Sequence, residues 1–153
     1  DSHQNLSMNS KNAMILRRYT IGYLFQNYGL IEDESVLWNL KLALEYKKIK
    51  KEEKLKLINK YLKQFELNDM LNKKVYQLSG GEQQRIAIIK LILQGSQVIL
   101  ADEPTSGLDK ENELIVMKLL KELNEKGITI IMVTHNMNLC DCFSRVINVE
   151  NFR

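Results

Sequence analysis

The sequence predicts an α/β fold in which helices flank a parallel sheet and an all-helical subdomain is inserted after the first strand. Short apolar runs at 20–26, 97–102 and 128–135 have the length and continuous hydrophobicity of buried strands. A helical pattern separates the second run from the third, and alternation of strands with helices favours parallel strands joined by crossovers. The pattern also stays helical from Ser35 to about Lys74, which indicates the insert.

Size and composition narrow the class of protein. The 153 residues match one ordinary domain, and 44% apolar residues are enough to bury one core. A net charge of +3 gives no strong basic field, so we expect no nucleic-acid partner. No apolar run approaches the roughly 20 residues of a membrane span, and no signal peptide is visible. Cys140 and Cys142 lack a second pair that would complete a zinc site, and we interpret them as packing residues in a reducing cytosol.

The first half of the chain contains one predicted strand among helices. The sequence AMILRR at 13–18 is predicted to end a short helix, and the strand at 20–26 ends in a polar residue. Ser35 is a good N-cap for the next helix. The helix after it carries apolar residues at helical spacing, which predict one buried stripe made of Leu55, Ile58, Leu62 and Phe65.

The second half has the alternating pattern of a parallel sheet. A short apolar strand at 97–102 precedes a helix that Gly127 closes. A second buried strand is predicted at 128–135. A short helix at 136–143 and a last strand within SRVINVEN at 144–151 complete the expected order.

The segment LSGGEQQR begins the central helix. Ser79 and Glu82 have the spacing of a capping box, so the helix should start at Gly80. A helix start offers unpaired N–H groups and partial positive charge, which suit a phosphate, and glycine keeps a Cβ away from the anion. The alternative interpretation is a helix cap with permissive neighbours and no ligand.

Polar side chains follow each of the predicted strands. Asp102 and Glu103 end the run VILADE, where a hydrated Mg²⁺ could bind the first and the second could orient or deprotonate water. Because ligands of parallel sheets bind beyond the carboxyl ends of strands, Gln26 and His135 belong to the same region. The alternative is that the two acidic residues only start the turn before Pro104. SGLD at 106–109 is by itself only a turn.

Taken together and in this order, these motifs resemble those of the ATP-binding cassette (ABC) ATPases over nearly the whole chain. The matches are the Q-loop at Gln26, the signature motif LSGGE at 78–82, the Walker B strand VILADE at 98–103, the D-loop SGLD at 106–109 and the switch histidine at His135. The segments LRRYTIGYLFQNYGLI and LSGGEQQR most resemble the exporter branch of the family, which serves macrolide, lipoprotein and bacteriocin transporters.

The resemblance implies an ATPase that uses ATP and Mg²⁺ in a P-loop NTPase-like fold. It implies catalytic roles for Glu103, His135 and Gln26, and metal binding by Asp102 and, through water, Gln26. The implied nucleotide-binding residues are Ser79, Gly80, Gly81, Glu82 and Asp109. In the family, two such domains pair head to tail and energise a transmembrane permease. The expected location is therefore cytoplasmic, peripheral at the inner face of the cell membrane.

One motif of the family does not occur in these 153 residues, because no phosphate loop G-x-x-x-x-G-K-[ST] is found. We interpret the chain as a partial nucleotide-binding domain over 1–153 that lacks the Walker A part. Its helical signature subdomain is predicted at 35–95, and the rest of the α/β core at 14–34 and 96–153. Alone it should not hydrolyse ATP. The strands that end near Gln26, Asp102 and His135 should stay together, whereas the last strand should collapse inward or pair with another chain.

Two other functions stay open at the level of sequence. One is a non-transport ATPase of the same superfamily, acting in translation or DNA repair, although such a role should bring a basic stripe. The other is a non-catalytic scaffold that only pairs with an active domain. A phosphate-loop motif encoded upstream of Asp1 would exclude the scaffold.

Overall fold

The computed structural model describes residues 10–149, which form five α-helices and three β-strands. The helices are α1 (Lys11–Tyr19), α2 (Val36–Ala43), α3 (Lys51–Gln64), α4 (Gly80–Gln94) and α5 (Lys110–Glu125). The strands are β1 (Ile21–Leu24), β2 (Val98–Asp102) and β3 (Thr129–Val133). Short 3-10 turns lie at Asn68–Met70, Val75–Gln77 and Met137–Cys142.

The three strands form one parallel sheet in the order β1-β2-β3. Ile21 pairs with Val98, and Val98 pairs with Thr129, so the three strands start at the same level, and β1 ends one residue before the other two. The prediction that these strands stay together is confirmed. Their carboxyl ends therefore lie at one edge, where the polar residues that follow each strand can meet.

Helix α4 is the centre of the core and contacts β1, α2, α3 and α5. Most of its side chains are buried, among them Ile86, Ile88, Ile89 and Leu93. Gly95 ends it in a left-handed conformation at φ 82°, which glycine adopts without the usual Cβ penalty. The helix that follows the turn at 79–81 (the SGG turn) is thus the element on which both the sheet and the helical insert pack.

The segment between β1 and α2 is fixed by a buried amide. The Asn39 side chain accepts a hydrogen bond from the Ile31 N–H (2.8 Å) and donates one to the Ile31 carbonyl (3.0 Å). On the other side, Lys90 of α4 donates to the Gly29 carbonyl at 2.7 Å, and burial lowers the pKa of that lysine. The loop that follows Gln26 is consequently tied to both α2 and α4.

Three expectations from the sequence are wrong in detail. Leu55 is 39% exposed, whereas the other three members of the predicted stripe, Ile58, Leu62 and Phe65, are buried. Strand β3 is not buried on both faces, since Ile131 and Val133 are each more than half exposed. It lies at one edge of the sheet. Strand β1, also predicted to be buried, lies at the other edge with Tyr23 43% exposed, and no described strand covers either edge.

The predicted last strand is also absent from the described residues. Residues 144–149 form no strand, and Val146, Ile147 and Val149 are exposed. This segment has therefore not collapsed inward, and its pairing with another chain stays a prediction. The end of that predicted strand and the predicted patternless first nine residues lie outside the described part of the chain.

Candidate functional site

A cavity of about 370 Å³ lies at the carboxyl ends of the strands. Gln26 follows β1, Glu103 follows β2 and His135 follows β3, and all three line this cavity. The sheet therefore brings together the three residues that the sequence marks as catalytic. Four further residues complete the lining, namely Thr105, Ser106, Glu113 and Asn136.

Glu103 has an unusual backbone that directs its side chain. Its φ is 45°, in the left-handed region that residues with a Cβ seldom adopt. Its N–H donates to the Val133 carbonyl at 2.9 Å, and its carbonyl accepts from the Ser106 N–H at 3.0 Å. The chain thus turns sharply as soon as β2 ends, while one more backbone hydrogen bond links it to β3.

The Glu103 carboxylate is held by the loop that carries His135. It accepts a hydrogen bond from the His135 N–H at 2.7 Å and one from the Thr134 hydroxyl at 3.3 Å. The imidazole Nε2 lies 3.6 Å from the same carboxylate, and the His135 side chain is 96% exposed. The imidazole is therefore free to contact a ligand while Glu103 fixes its backbone.

The predicted metal ligands offer the right type of donor. Asp102 ends β2 with a half-buried side chain, and Gln26 is exposed at the cavity. Carboxylate and amide oxygens suit Mg²⁺, which usually binds one or two protein groups plus water and phosphate. No cluster of three or more His, Cys, Asp or Glu within residues 10–149 could hold a metal ion without such additional ligands. In donor type, Asp102 and Gln26 thus suit a Mg²⁺ ion that arrives with a nucleotide, but only Gln26 is among the residues that line the cavity.

The predicted capping box begins α4 as expected. The Ser79 hydroxyl accepts from the Glu82 N–H at 3.3 Å, and the Glu82 carboxylate accepts from the Ser79 N–H at 2.7 Å. Within the described chain, this arrangement leaves the N–H groups of Gly80 and Gly81 without an acceptor. Two free N–H groups at a helix start, next to an exposed serine, are suited to an anionic oxygen.

Both glycines of this turn are closely packed, and packing requires glycine at Gly81. A Cβ on Gly81 would overlap the Asn112 side chain of α5, and one on Gly80 would lie 2.7 Å from the Tyr28 hydroxyl oxygen. The sequence interpretation, that glycine leaves room for an anion, therefore misses the main constraint. The SGG turn fits closely between the loop after Gln26 and the first turn of α5.

Asp109 provides the connection to α5. It caps that helix by accepting from the N–H and the side-chain amide of Asn112, both at 2.8 Å. These hydrogen bonds, the backbone one first, hold the pKa of Asp109 below the usual 3.8. The D-loop residue thus orients the same Asn112 that packs on Gly81. The predicted nucleotide-binding residues therefore form a second cluster, in which the starts of α4 and α5 meet.

Three residues of this region were not predicted from the sequence. Glu113 and Asn136 line the cavity and are hydrogen-bonded to each other at 3.0 Å. Gln84, almost fully buried in α4, donates to the carbonyl of Pro104, directly after Glu103. Glutamine among the core positions of a helix is a signal that could have identified Gln84, whereas Glu113 resembles any acidic residue in a first helical turn.

Comparison with known proteins defines the class. The ABC transporter family model matches residues 2–106, more than half of the chain, and the chain therefore belongs to the ABC transporter family. The solved dimer of the ATP-binding cassette MJ0796 bound to ADP and Pi is 37% identical, with a TM-score of 0.75. The match covers 90% of this chain and 61% of that one. The parallel sheet with flanking helices is thus the fold of ABC ATPase cassettes.

Curated relatives agree with the predicted exporter branch. An uncharacterized ABC transporter ATP-binding protein of Methanocaldococcus jannaschii, MJ1508, is 41% identical over 145 residues, which cover 95% of this chain and 65% of the relative. The macrolide export ATP-binding/permease protein MacB of Campylobacter jejuni is 36% identical over 151 residues, 99% of this chain and 24% of the relative. The chain thus spans about two thirds of one relative and a quarter of the other. No helix within residues 10–149 has both the length and the hydrophobicity that a bilayer crossing demands.

Proposed function

We propose that the chain is part of the nucleotide-binding domain of an ABC exporter, which couples ATP binding and hydrolysis to export through a membrane subunit. The observation that carries this proposal is the single cavity lined by Gln26, Glu103 and His135 at the ends of three parallel strands. The relatives named as macrolide exporters support the direction of transport. We place the domain in the cytoplasm at the inner face of the membrane.

Within the cavity we assign separate roles to the three polar residues. Glu103 orients and deprotonates the attacking water, because it is the carboxylate that directly follows the central strand and lines the cavity. The exposed imidazole of His135 contacts the terminal phosphate, and Gln26 senses the same group from β1. The carboxylate of Glu103 must exchange its present hydrogen bonds to the His135 loop for a bond to water. Binding of nucleotide therefore changes the position of that loop.

Asp102 and Gln26 would hold Mg²⁺, the latter through water. When bound, the metal neutralises charge that develops on the phosphate oxygens. Asp102 is suited to this task because it is an acidic residue at the carboxyl end of β2.

The signature turn is proposed to act on a second domain. Ser79, Gly80 and Gly81 would contact the γ-phosphate of an ATP held by a partner in a head-to-tail dimer, with Glu82 maintaining the cap. The free N–H groups and the exposed serine support this role. Asp109 would link the two sites across the pair, because it fixes the packing of α5 against the turn. A dimer of the related cassette MJ0796 is consistent with such pairing.

The surface toward the membrane subunit is proposed to be the helical insert with the loop after Gln26. Asn39 and Lys90 hold this loop, so force on the insert would reach the cavity. A second cavity of about 190 Å³ adjoins it and has a basic lining that includes Arg17, Arg18, Lys47 and Lys90. The aromatic side chains of Tyr19 and Tyr46 complete a surface that a membrane subunit could cover.

The first test is a calorimetric titration of these 153 residues with Mg-ATP. We expect very weak binding and no hydrolysis, because the residues contain no phosphate-loop motif. Binding with micromolar affinity, or steady release of phosphate, would show that other residues bind the nucleotide. Either result would overturn the assignment of the signature turn.

The second test concerns the signature turn in a pair. Ser79→Asp retains a good helix cap but adds a negative charge where the phosphate is proposed to bind. In a mixture with the MJ0796 cassette and Mg-ATP, sedimentation should show ATP-dependent pairing for the unchanged chain and not for the variant. Ser79→Thr keeps a neutral hydroxyl cap and is the matched control. Equal pairing of the Ser79→Asp variant would contradict the proposal.

A further inference from the structure

Glu113 is a buried carboxylate that the motifs leave without a role. It lies in the first turn of α5, is only 9% exposed and lines the same cavity as Glu103 and His135. Burial of a carboxylate is costly unless hydrogen bonds compensate for lost water. The contacts of Glu113 should therefore show what it does.

Both carboxylate oxygens of Glu113 have partners. One accepts from the Lys110 ammonium at 2.6 Å, and the other accepts from the side-chain amide of Asn136 at 3.0 Å. Lys110 is mostly exposed and belongs to the same helix. The bond to Asn136 is different, because it joins α5 to the residue directly after His135.

Asn136 in turn shapes the loop around His135. Its N–H donates to the Thr134 hydroxyl at 3.1 Å, and its side-chain oxygen accepts from the Asn138 N–H at 3.1 Å. From the opposite direction, Glu103 accepts from Thr134 and from the His135 N–H. His135 thus stands between two residues that are each held by a different carboxylate.

We propose that Glu113 is a positioning residue for His135, and that Glu103 and Glu113 together hold the loop 134–138 against the cavity. Neither carboxylate alone fixes both sides of the histidine, since Glu103 binds Thr134 and His135 whereas Glu113 binds Asn136. The inference rests on the proposed function only in that the cavity receives nucleotide. When Glu103 releases its hydrogen bonds to take up water, Glu113 still anchors the loop.

A helix-dipole role is the competing explanation, because an acidic residue in a first turn stabilises any helix. Glu111 separates the two explanations. It lies in the same first turn of α5, carries the same charge and is exposed. Glu111→Gln therefore removes the dipole contribution and leaves the Asn136 contact in place.

The test measures amide hydrogen exchange of the 153-residue chain without nucleotide. Glu113→Ala should accelerate exchange across 134–138 by about tenfold, since a hydrogen bond to a charged acceptor is lost. Glu113→Gln keeps an acceptor oxygen for Asn136 and should restore part of the protection. Amides of β1 and β2 should exchange as in the unchanged chain, and Glu111→Gln should leave the loop unaffected.

A double-mutant cycle and an NMR signal distinguish positioning from general stability. Asn136→Ala should accelerate loop exchange as Glu113→Ala does, and the two changes together should not add. The imidazole signals of His135 should shift in Glu113→Gln and remain unchanged in Glu111→Gln. Additive effects, or equal responses to Glu113→Gln and Glu111→Gln, would overturn the proposal.

These measurements need no ATP, so they separate this inference from the proposed function. The ATPase assignment alone would be contradicted if nucleotide never changed exchange in the 134–138 loop or the His135 signals, even when the chain is paired with a second domain. An unprotected loop in the unchanged chain would count against Glu113 alone.

Discussion

Glu103 combines a strained backbone with a place at the candidate site. A non-glycine residue in the left-handed region costs on the order of 1–3 kcal/mol and persists only where its surroundings enforce it. Here β2 and β3 enforce it through the bond from the Glu103 N–H to the Val133 carbonyl. Because the chain turns here instead of continuing along the strand direction, the Glu103 carboxylate reaches the His135 loop.

Gly81 leads to a prediction at the same scale. Gly81→Ala places a methyl group on the Asn112 side chain, whose amide donates to the Asp109 carboxylate, as does the Asn112 backbone N–H. We expect this overlap to lower the free energy of unfolding by about 1–3 kcal/mol, measured by urea denaturation. Alanine would otherwise stabilise a helix relative to glycine, so the sign itself is informative.

Two controls accompany this change. Gly80→Ala meets the far end of the flexible Tyr28 side chain and should be much better tolerated. Adding Asn112→Ala to Gly81→Ala removes the overlapping atoms but leaves the Asn112 Cβ at 3.0 Å, so part of the lost stability should return. A stabilised Gly81→Ala variant would show that α5 moves aside.

At the scale of elements, local patterns predicted most of the fold. The capping box correctly predicted the start of α4, and Ser35 correctly predicted the start of α2. Gly127 correctly predicted the end of α5. The prediction of the last strand failed because a strand requires a neighbour. The sequence SRVINVEN shows the propensity of these residues for a strand but not which strand they would pair with. The predicted burial of β3 was wrong for the same reason, since apolar composition cannot show which strand lies at an edge.

The cap of α5 gives a pH-dependent prediction. The pKa of Asp109 is lowered in the folded protein, so its charge adds stability above the usual 3.8, and this contribution is lost as pH falls through the lower folded value. Asp109→Asn retains a cap without a titrating group. The stability difference between the two proteins, from urea denaturation between about pH 6 and pH 3, should therefore shrink toward acid. A constant difference would contradict the assigned hydrogen bonds.

The open edges of the sheet bear on association of the whole molecule. Strand β3 presents an edge that no described strand covers, with Ile131 54% and Val133 58% exposed. Open apolar edges recruit strands from other chains. We expect these 153 residues to self-associate at high concentration, with a mass above 17.9 kDa by sedimentation.

Ile131→Lys tests this association directly. A charge on the edge strand should return the chain to a monomer, because lysine opposes edge-to-edge pairing. Leu114→Lys removes an equally exposed apolar residue from α5 and should leave association unchanged. A monomeric unchanged chain would show that the edge is protected in solution.

The candidate site was predictable only where residues act through motifs. Gln26, Glu103 and His135 were predicted because each follows an apolar strand, and the sheet places them in one cavity. Glu113 and Asn136 meet across 23 positions of sequence, and neither has a local pattern that indicates the other. Such contacts depend on how α5 packs beside β3, which periodicity does not specify.

The contacts of Tyr28 and Gly29 have a mechanical consequence. These adjacent residues touch α4 at Gly80 and, through its side chain, at Lys90, positions about 15 Å apart along the helix axis at 1.5 Å per residue. A loop braced at two separated points of a rod resists sliding and tilting together. A push on the loop after Gln26 would therefore move α4 as one body, together with its N-cap Ser79, the residue proposed to contact a phosphate.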